Sequence, residues 1–140
     1  MSMSISPGIS EIRLTLPGDP RTKKNSQQIL TNRKTGRPFV SPSAAYRQYA
    51  RSCVGAIPEE AKRRHDERVH VRCLYYMHTR RAVDLSNLLE ATDDILVGAG
   101  VLADDNCRII ASHDGSRVYY DKLNPRVEIT ITPFCEDGTL

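Results

Sequence analysis

The residues with the most chemistry in them are concentrated in one stretch. Arg80-Arg81 precede Asp84-Leu85-Ser86-Asn87-Leu88-Leu89-Glu90, Asp93-Asp94 follow, and Asp104-Asp105-Asn106 come next. Carboxylates are hard oxygen donors suited to Mg²⁺ or Mn²⁺, and a basic surface around them attracts phosphate. Acids beside arginines, in a chain of formal net charge +3, point to metal-assisted phosphodiester chemistry.

Such chemistry needs an element that keeps the acids out of the core. At about 100° per residue, Leu88, Ala91, Thr92, Ile95, Leu96 and Ala99 fall on one apolar helix face, and Asn87, Glu90 and Asp94 lie within roughly 60° of one another on another. Asp84 and Ser86 lie at the helix mouth, and Gly98 and Gly100 supply its stop. Val101-Leu102 then dock the chain back on the core and present Asp104 and Asp105, so two clusters distant in sequence are expected to meet at one metal. Plainer uses exist for each residue. Asp84 or Ser86 can cap the helix, Asn87 with Glu90 satisfies a capping pattern, and Asp104-Asp105-Asn106 suits an ordinary turn.

At 140 residues the chain is long enough for one domain with a real core and too short to count on two. A hydrophobic fraction of 39% and six tyrosines fit a globular fold. No apolar run approaches the roughly 20 residues of a membrane span, and the N-terminus lacks a signal-peptide pattern, so a cytoplasmic location is expected. Cys53, Cys73, Cys107 and Cys135 are scattered with no Cys-x-x-Cys pair, and read as reduced, mostly packing cysteines.

The elements that must position the acids follow from periodicity. Residues 1–10 read as a mobile lead-in, 11–134 as one domain and 135–140 as a tail. Ile12, Leu14 and Leu16 alternate on one side of a strand ended by Pro17-Gly18. A basic loop, Arg21-Thr22-Lys23-Lys24-Asn25-Ser26, leads to a hairpin of 27–31 with 37–40 across Lys34-Thr35-Gly36, for which the plainer reading is a solvated turn. Ser41-Pro42-Ser43 starts a helix whose buried stripe is Tyr46, Tyr49, Ala50, Cys53 and Ile57. The charged connector 59–68 reads as surface. Val69, Val71, Cys73, Tyr75 and Met77 line one face of the next strand, with His70 and His78 opposite and outside any metal site. After the acidic helix, 108–111 and 117–120 read as one bent strand or two short ones around Asp114-Gly115-Ser116, and Val127, Ile129 and Ile131 make a last strand. This order predicts an α+β fold: a two-layer domain, a mixed sheet with two main helices packed on one face.

These residues also resemble a family. Asp84-Leu85-Ser86-Asn87-Leu88, the helix ending at Ala99-Gly100-Val101, and Asp104-Asp105-Asn106 are similar to the RusA-type Holliday-junction endonucleases, many encoded by phages and prophages. Lys23-Lys24-Asn25-Ser26 before the hairpin, Ser41-Pro42-Ser43 with Tyr46, and Pro125-Arg126-Val127-Glu128-Ile129 extend the resemblance over roughly residues 11 to 134. It implies a homodimer that binds four-way DNA junctions and makes paired nicks with a divalent metal, Mg²⁺ or alternatively Mn²⁺. It implies metal-ligand roles for Asp84 and Asp105. Where the family typically has Asp-Leu-Asp-Asn this chain has Ser86, and where the family often has lysine it has Glu90, whose reach can restore the missing carboxylate or whose presence can weaken the site.

The resulting assignment makes Asp84, Asp105 and Glu90 the metal shell. Asp104 is an added ligand or, like Asp94, an outer base. Lys23, Lys24, Asn25, Arg80 and Arg81 hold flanking phosphates. Two rivals remain: a junction-binding protein of the same fold with weak turnover through Ser86, and an α+β interaction module whose acids merely solvate a helix.

Overall fold

The computed structural model describes residues 10–23 and 27–135. The lead-in up to Ile9, Lys24-Asn25-Ser26 and the tail beyond Cys135 lie outside the described residues. The strands are β1 (Ile12–Pro17), β2 (Gln27–Thr31), β3 (Pro38–Pro42), β4 (Val69–Met77), β5 (Ile110–Ser112), β6 (Arg117–Tyr120) and β7 (Arg126–Pro133). The α-helices are α1 (Ala44–Ala56) and α2 (Leu85–Gly98).

Alternation builds the main sheet. β7 lies between β1 and β4, antiparallel to both, and its register aligns apolar residues in rows: Leu14 with Ile129 and Cys73, Leu16 with Val127 and Tyr75, Ile12 with Ile131 and Val71. A slip of one residue would turn every row toward solvent, so burial itself holds the register. Both helices cover this face, as the two-layer α+β expectation required: Tyr46, Tyr49 and Cys53 from α1 and Leu88, Ala91, Ile95 and Leu96 from α2 complete one core. Cys53 and Cys73 pack in it, whereas Cys107 and Cys135 are exposed, and all are reduced.

The other edge of β4 takes β5 near its start and β6 near its end, both parallel. The sequence left open one bent strand or two; the chain forms two, separated by a turn in which Ser116 N donates to His113 O at 3.1 Å and Gly115 has φ 84. The Cys73 N–H facing that gap donates to Ser116 Oγ at 3.0 Å, so the break leaves no orphaned donor there. Parallel pairing cannot be closed by a tight turn and requires a crossover, and α2 is that crossover.

The two ends of α2 are tightly specified. Asp84 is its N-cap, with Oδ1 accepting from Ser86 N at 3.1 Å. At the other end Gly100 adopts φ 84, its N–H donates to Val97 O at 3.0 Å, and Val101 N donates to Leu96 O at 2.9 Å, the paired bonds of a Schellman stop. Gly100 is thus the stop, while Gly98 remains in the helix. The connector 59–68 departs from its reading as plain surface: Ala61 is buried, and Arg64 N and His65 N donate to Gly100 O and Val101 O at 2.7 and 3.0 Å. It zips the exit of α2 to the start of β4.

Across the core, the Tyr75 hydroxyl meets Thr92 Oγ1 at 2.7 Å, and Thr92 Oγ1 donates to Leu88 O at 2.9 Å. Tyr75→Phe leaves Thr92 bonded to its own helix, so the expected loss is about 1 kcal/mol. Urea unfolding should show an earlier midpoint with an unchanged slope; a stability equal to the parent's would remove this bond from the account of how α2 is held.

Candidate active site

The acidic residues occupy two places along α2. Asp84 sits at the N-terminus, beyond the C-terminal end of β4, and its Oδ1 also accepts from Ser86 Oγ at 2.8 Å. The capping use of Asp84 is therefore realised, and the exposed Ser86 hydroxyl is bonded to the same carboxylate. Asp104 and Asp105 follow the other end of a helix of 14 residues, roughly 21 Å long. The helix thus lies between the two clusters that are expected from the sequence to meet at one metal. Among the described residues, no three His, Cys, Asp or Glu side chains gather in a metal-binding group.

What does converge is the second cluster. Lys23 Nζ pairs with Asp94 Oδ2 at 2.6 Å, tying the basic segment before the hairpin to α2. Asp94 and Glu90 lie on the α2 edge that faces Tyr46 of α1, whose phenol is pushed up to about 12 by burial first and then by Asp94, Cys53 and Glu90. Glu90 thus keeps company with Asp94, as the helical geometry predicted, and lies about 9 Å along the axis from Asp84. Asp104 orders the turn after α2: its Oδ1 accepts from Asp105 N at 2.7 Å and its Oδ2 from Asn106 Nδ2 at 3.0 Å. Asp105 is held above the usual carboxylate range by lost solvation first, then by the Asp104 side chain and the Asp94 charge. The Asp104 and Asp94 charges thus both bear on Asp105.

At the Asp84 end the surface is basic and aromatic. The Arg80 guanidinium lies 4.1 Å over the ring of Tyr120, at the end of β6, which is 39% exposed. Arg81 lines a cleft of about 200 Å³ with Asp19, Arg21 and Thr22. Of the residues assigned to phosphate, Lys23 is already paired with Asp94, Arg80 and Arg81 flank Asp84, and Lys24 and Asn25 lie outside the described residues.

Sequence reasoning missed one pair near the site. Asp93 is buried at 7% exposure, and His113, on the turn between β5 and β6, places Nε2 at 3.1 and 2.9 Å from its two oxygens. This contact braces α2 against the sheet edge one residue before Asp94. An aspartate on an otherwise apolar face was the available signal, but its partner comes from another element.

Against known proteins, a family model described as Endodeoxyribonuclease RusA matches residues 17–132. The chain belongs to the RusA endodeoxyribonuclease family. No curated protein matches it significantly. Membership makes it a nuclease of DNA in a family that acts on Holliday junctions, and it weighs against the interaction-module reading. In this RusA family member no helix among the described residues is long and apolar enough to cross a membrane.

Burial holds the Asp93 carboxyl above the ordinary aspartate range. The folded protein then binds that proton more tightly than the unfolded chain, so stability falls as pH rises from the ordinary range through the folded-state value. Asp93→Asn should flatten that segment of unfolding free energy against pH. Asp93→Ala, which strips His113 of its partner, should cost about 1–3 kcal/mol near neutrality. An Asp93→Asn profile parallel to the parent's would place the slope on another group.

Proposed function

We propose that this protein is a Mg²⁺-dependent endonuclease that nicks four-way DNA junctions as a homodimer, with each active site completed by both chains. The observation that carries the dimeric site is the length of α2, which separates Asp84 from Asp104-Asp105. A single chain offers half of the acidic set at each end. A second copy related by a twofold axis can bring the Asp84 end of one chain to the Asp105 end of the other, and twice over, which matches paired nicks on a symmetric junction.

The donors suit the metal in kind. They are carboxylate oxygens, and Mg²⁺ is usually held by one or two carboxylates together with phosphate and waters, so a closed protein cage is not required. Asp105 and Asp84 are the proposed ligands, with Asp104 and Glu90 as added ligands and Asp94 as an outer base. When bound, the metal supplies charge for the scissile phosphate and acidity for an attacking water; Mn²⁺ can stand in. Asp94, released from Lys23, accepts the water's proton, while Lys23 turns to the phosphate that displaced it. Arg80 and Arg81 hold the flanking backbone for register rather than base identity, joined by Lys24 and Asn25. A cytoplasmic location fits this use.

Complementation tests the shared site. Asp84→Asn and Asp105→Asn should each abolish cleavage while leaving junction binding near the parent's, since neither removes a phosphate contact. Mixed and allowed to exchange subunits, the two inactive proteins should regain cleavage, because half of the sites in the mixed dimer carry both aspartates. Activity in Asp105→Asn alone would remove it from the chemistry, and failure of the mixture to cleave would return both aspartates to one chain.

Glu90 and Ser86 make a separate case. Glu90→Gln should impair cleavage about as severely as Asp84→Asn, and Ser86→Asp should restore part of the loss. If Glu90→Lys cleaves like the parent with Ser86 unchanged, Glu90 is no ligand. A parent that binds junctions and does not cut them with either metal would favour the junction-binding rival.

A further inference from the structure

The hairpin β2–β3 has no role in the site just described, yet its charge and construction are distinctive. It forms a two-stranded sheet of its own, with Ile29 paired to Val40 and Leu30 to Phe39, outside the five-stranded sheet. Two strands alone are marginal in water. Ile29 is 74% exposed, an unusual place for a large apolar side chain on an isolated ribbon.

Its tip is ordered from within. Asn32 Oδ1 accepts from Lys34 N at 2.8 Å and Thr35 N at 3.2 Å, Asn32 O accepts from Gly36 N at 2.7 Å, and Asn32 N donates to Arg37 O at 2.9 Å. Gly36 has φ 71, which the turn requires and other residues adopt with strain. All of these bonds use backbone and the Asn32 amide. Arg33, Lys34 and Arg37 are exposed, and no ion pair among the described residues engages them. The turn holds three cations outward and spends none of them.

The charge is regional as well. Between Pro20 and Pro58 the chain has eight of its twenty Lys and Arg residues and none of its seventeen Asp and Glu residues, so the mild net charge conceals a strongly basic segment against an acidic remainder. The chain before the hairpin is tied to the acidic edge of α2 by the Lys23–Asp94 pair, and the chain after it runs directly into α1, where Ser43 caps the helix by accepting from Tyr46 N at 3.2 Å. Five residues per strand give a reach of about 16 Å, and a two-stranded ribbon fits a DNA groove.

We infer that β2–β3 is a DNA-binding arm, which grips the backbone of a duplex arm of the junction with Arg33, Lys34 and Arg37 while Ile29 lies against the sugars. This rests on the nuclease reading and assigns phosphate contacts to residues outside the active site. Duplex DNA supplies what the tip lacks, a row of anions, and its groove gives the exposed Ile29 an apolar neighbour.

Fluorescence anisotropy on a synthetic four-way junction in EDTA, over a range of KCl, tests the inference without requiring cleavage. The variant carrying Arg33→Gln, Lys34→Gln and Arg37→Gln together should bind at least tenfold more weakly. Its log-log salt slope should be shallower by about two to three, near 0.9 for each lost phosphate contact. Far-UV circular dichroism should match the parent's, because no fold contact is removed. A variant whose affinity and slope equal those of a parent that binds well overturns the arm and leaves the nuclease reading standing. A parent that binds no DNA overturns both.

Discussion

β4 must satisfy two edges at once, and the position of every candidate catalytic group follows from how it does so. On one side the antiparallel ladder with β7 runs from Val69 with Pro133 to Tyr76 with Arg126 and needs only register. On the other, β5 and β6 run parallel to it, and parallel neighbours demand a long crossover. The crossover is α2, which leaves the C-terminal end of β4 and returns to its N-terminal end. Asp84 marks the departure and Asp104-Asp105 the return. The placement of the acids at the two ends of the crossover is thus a property of topology.

That division also explains what could be read from residues alone. Strands β1, β4 and β7 were legible because each buries one face and exposes the other. The buried face of α2 was legible for the same reason, through Leu88, Ala91, Ile95 and Leu96. Local signals placed the caps: Asp84 at the start and Gly100 at the stop, although Gly98 carried the same composition signal and lies inside the helix. The failures were long-range. Asp93 with His113, the zipper between the connector and residues after α2, and the distance between the two acidic clusters each depend on which elements the sheet brings together, and no period in the sequence encodes that. The family resemblance named the family that the chain belongs to, but a motif gives order along the chain and not distance across it.

Several candidate groups already have structural partners, and magnitudes decide whether this disqualifies them. A half-exposed ion pair such as Lys23 with Asp94 is worth about 0–1 kcal/mol, and an N-cap such as Asp84 about 1 kcal/mol. A dication or a phosphate offered to the same groups forms charge-assisted contacts that are stronger than neutral ones. Structural use in the free protein therefore costs little to give up, and Lys23 with Asp94 reads as a pair that ligands can open. The buried Asp93 with His113 is different: breaking it strands a desolvated carboxylate, which suits a brace and not a ligand.

Charge then sets an order of events. The α2 edge carrying Glu90 and Asp94, with Asp104 and Asp105 beyond it, repels phosphate when no metal is present, and the Debye length of about 8 Å at physiological salt keeps that repulsion local. The basic segment around the hairpin has no acid of its own to neutralise it. DNA held by the arm inferred above would approach the acids already anchored, so the repulsion would be opposed by contacts made elsewhere. Under the proposed function, carboxylates holding a dication would no longer repel the backbone, and phosphate that the free acids keep away would be drawn toward them. The two proposals together divide affinity and chemistry between the hairpin and the ends of α2, joined where Lys23 meets Asp94.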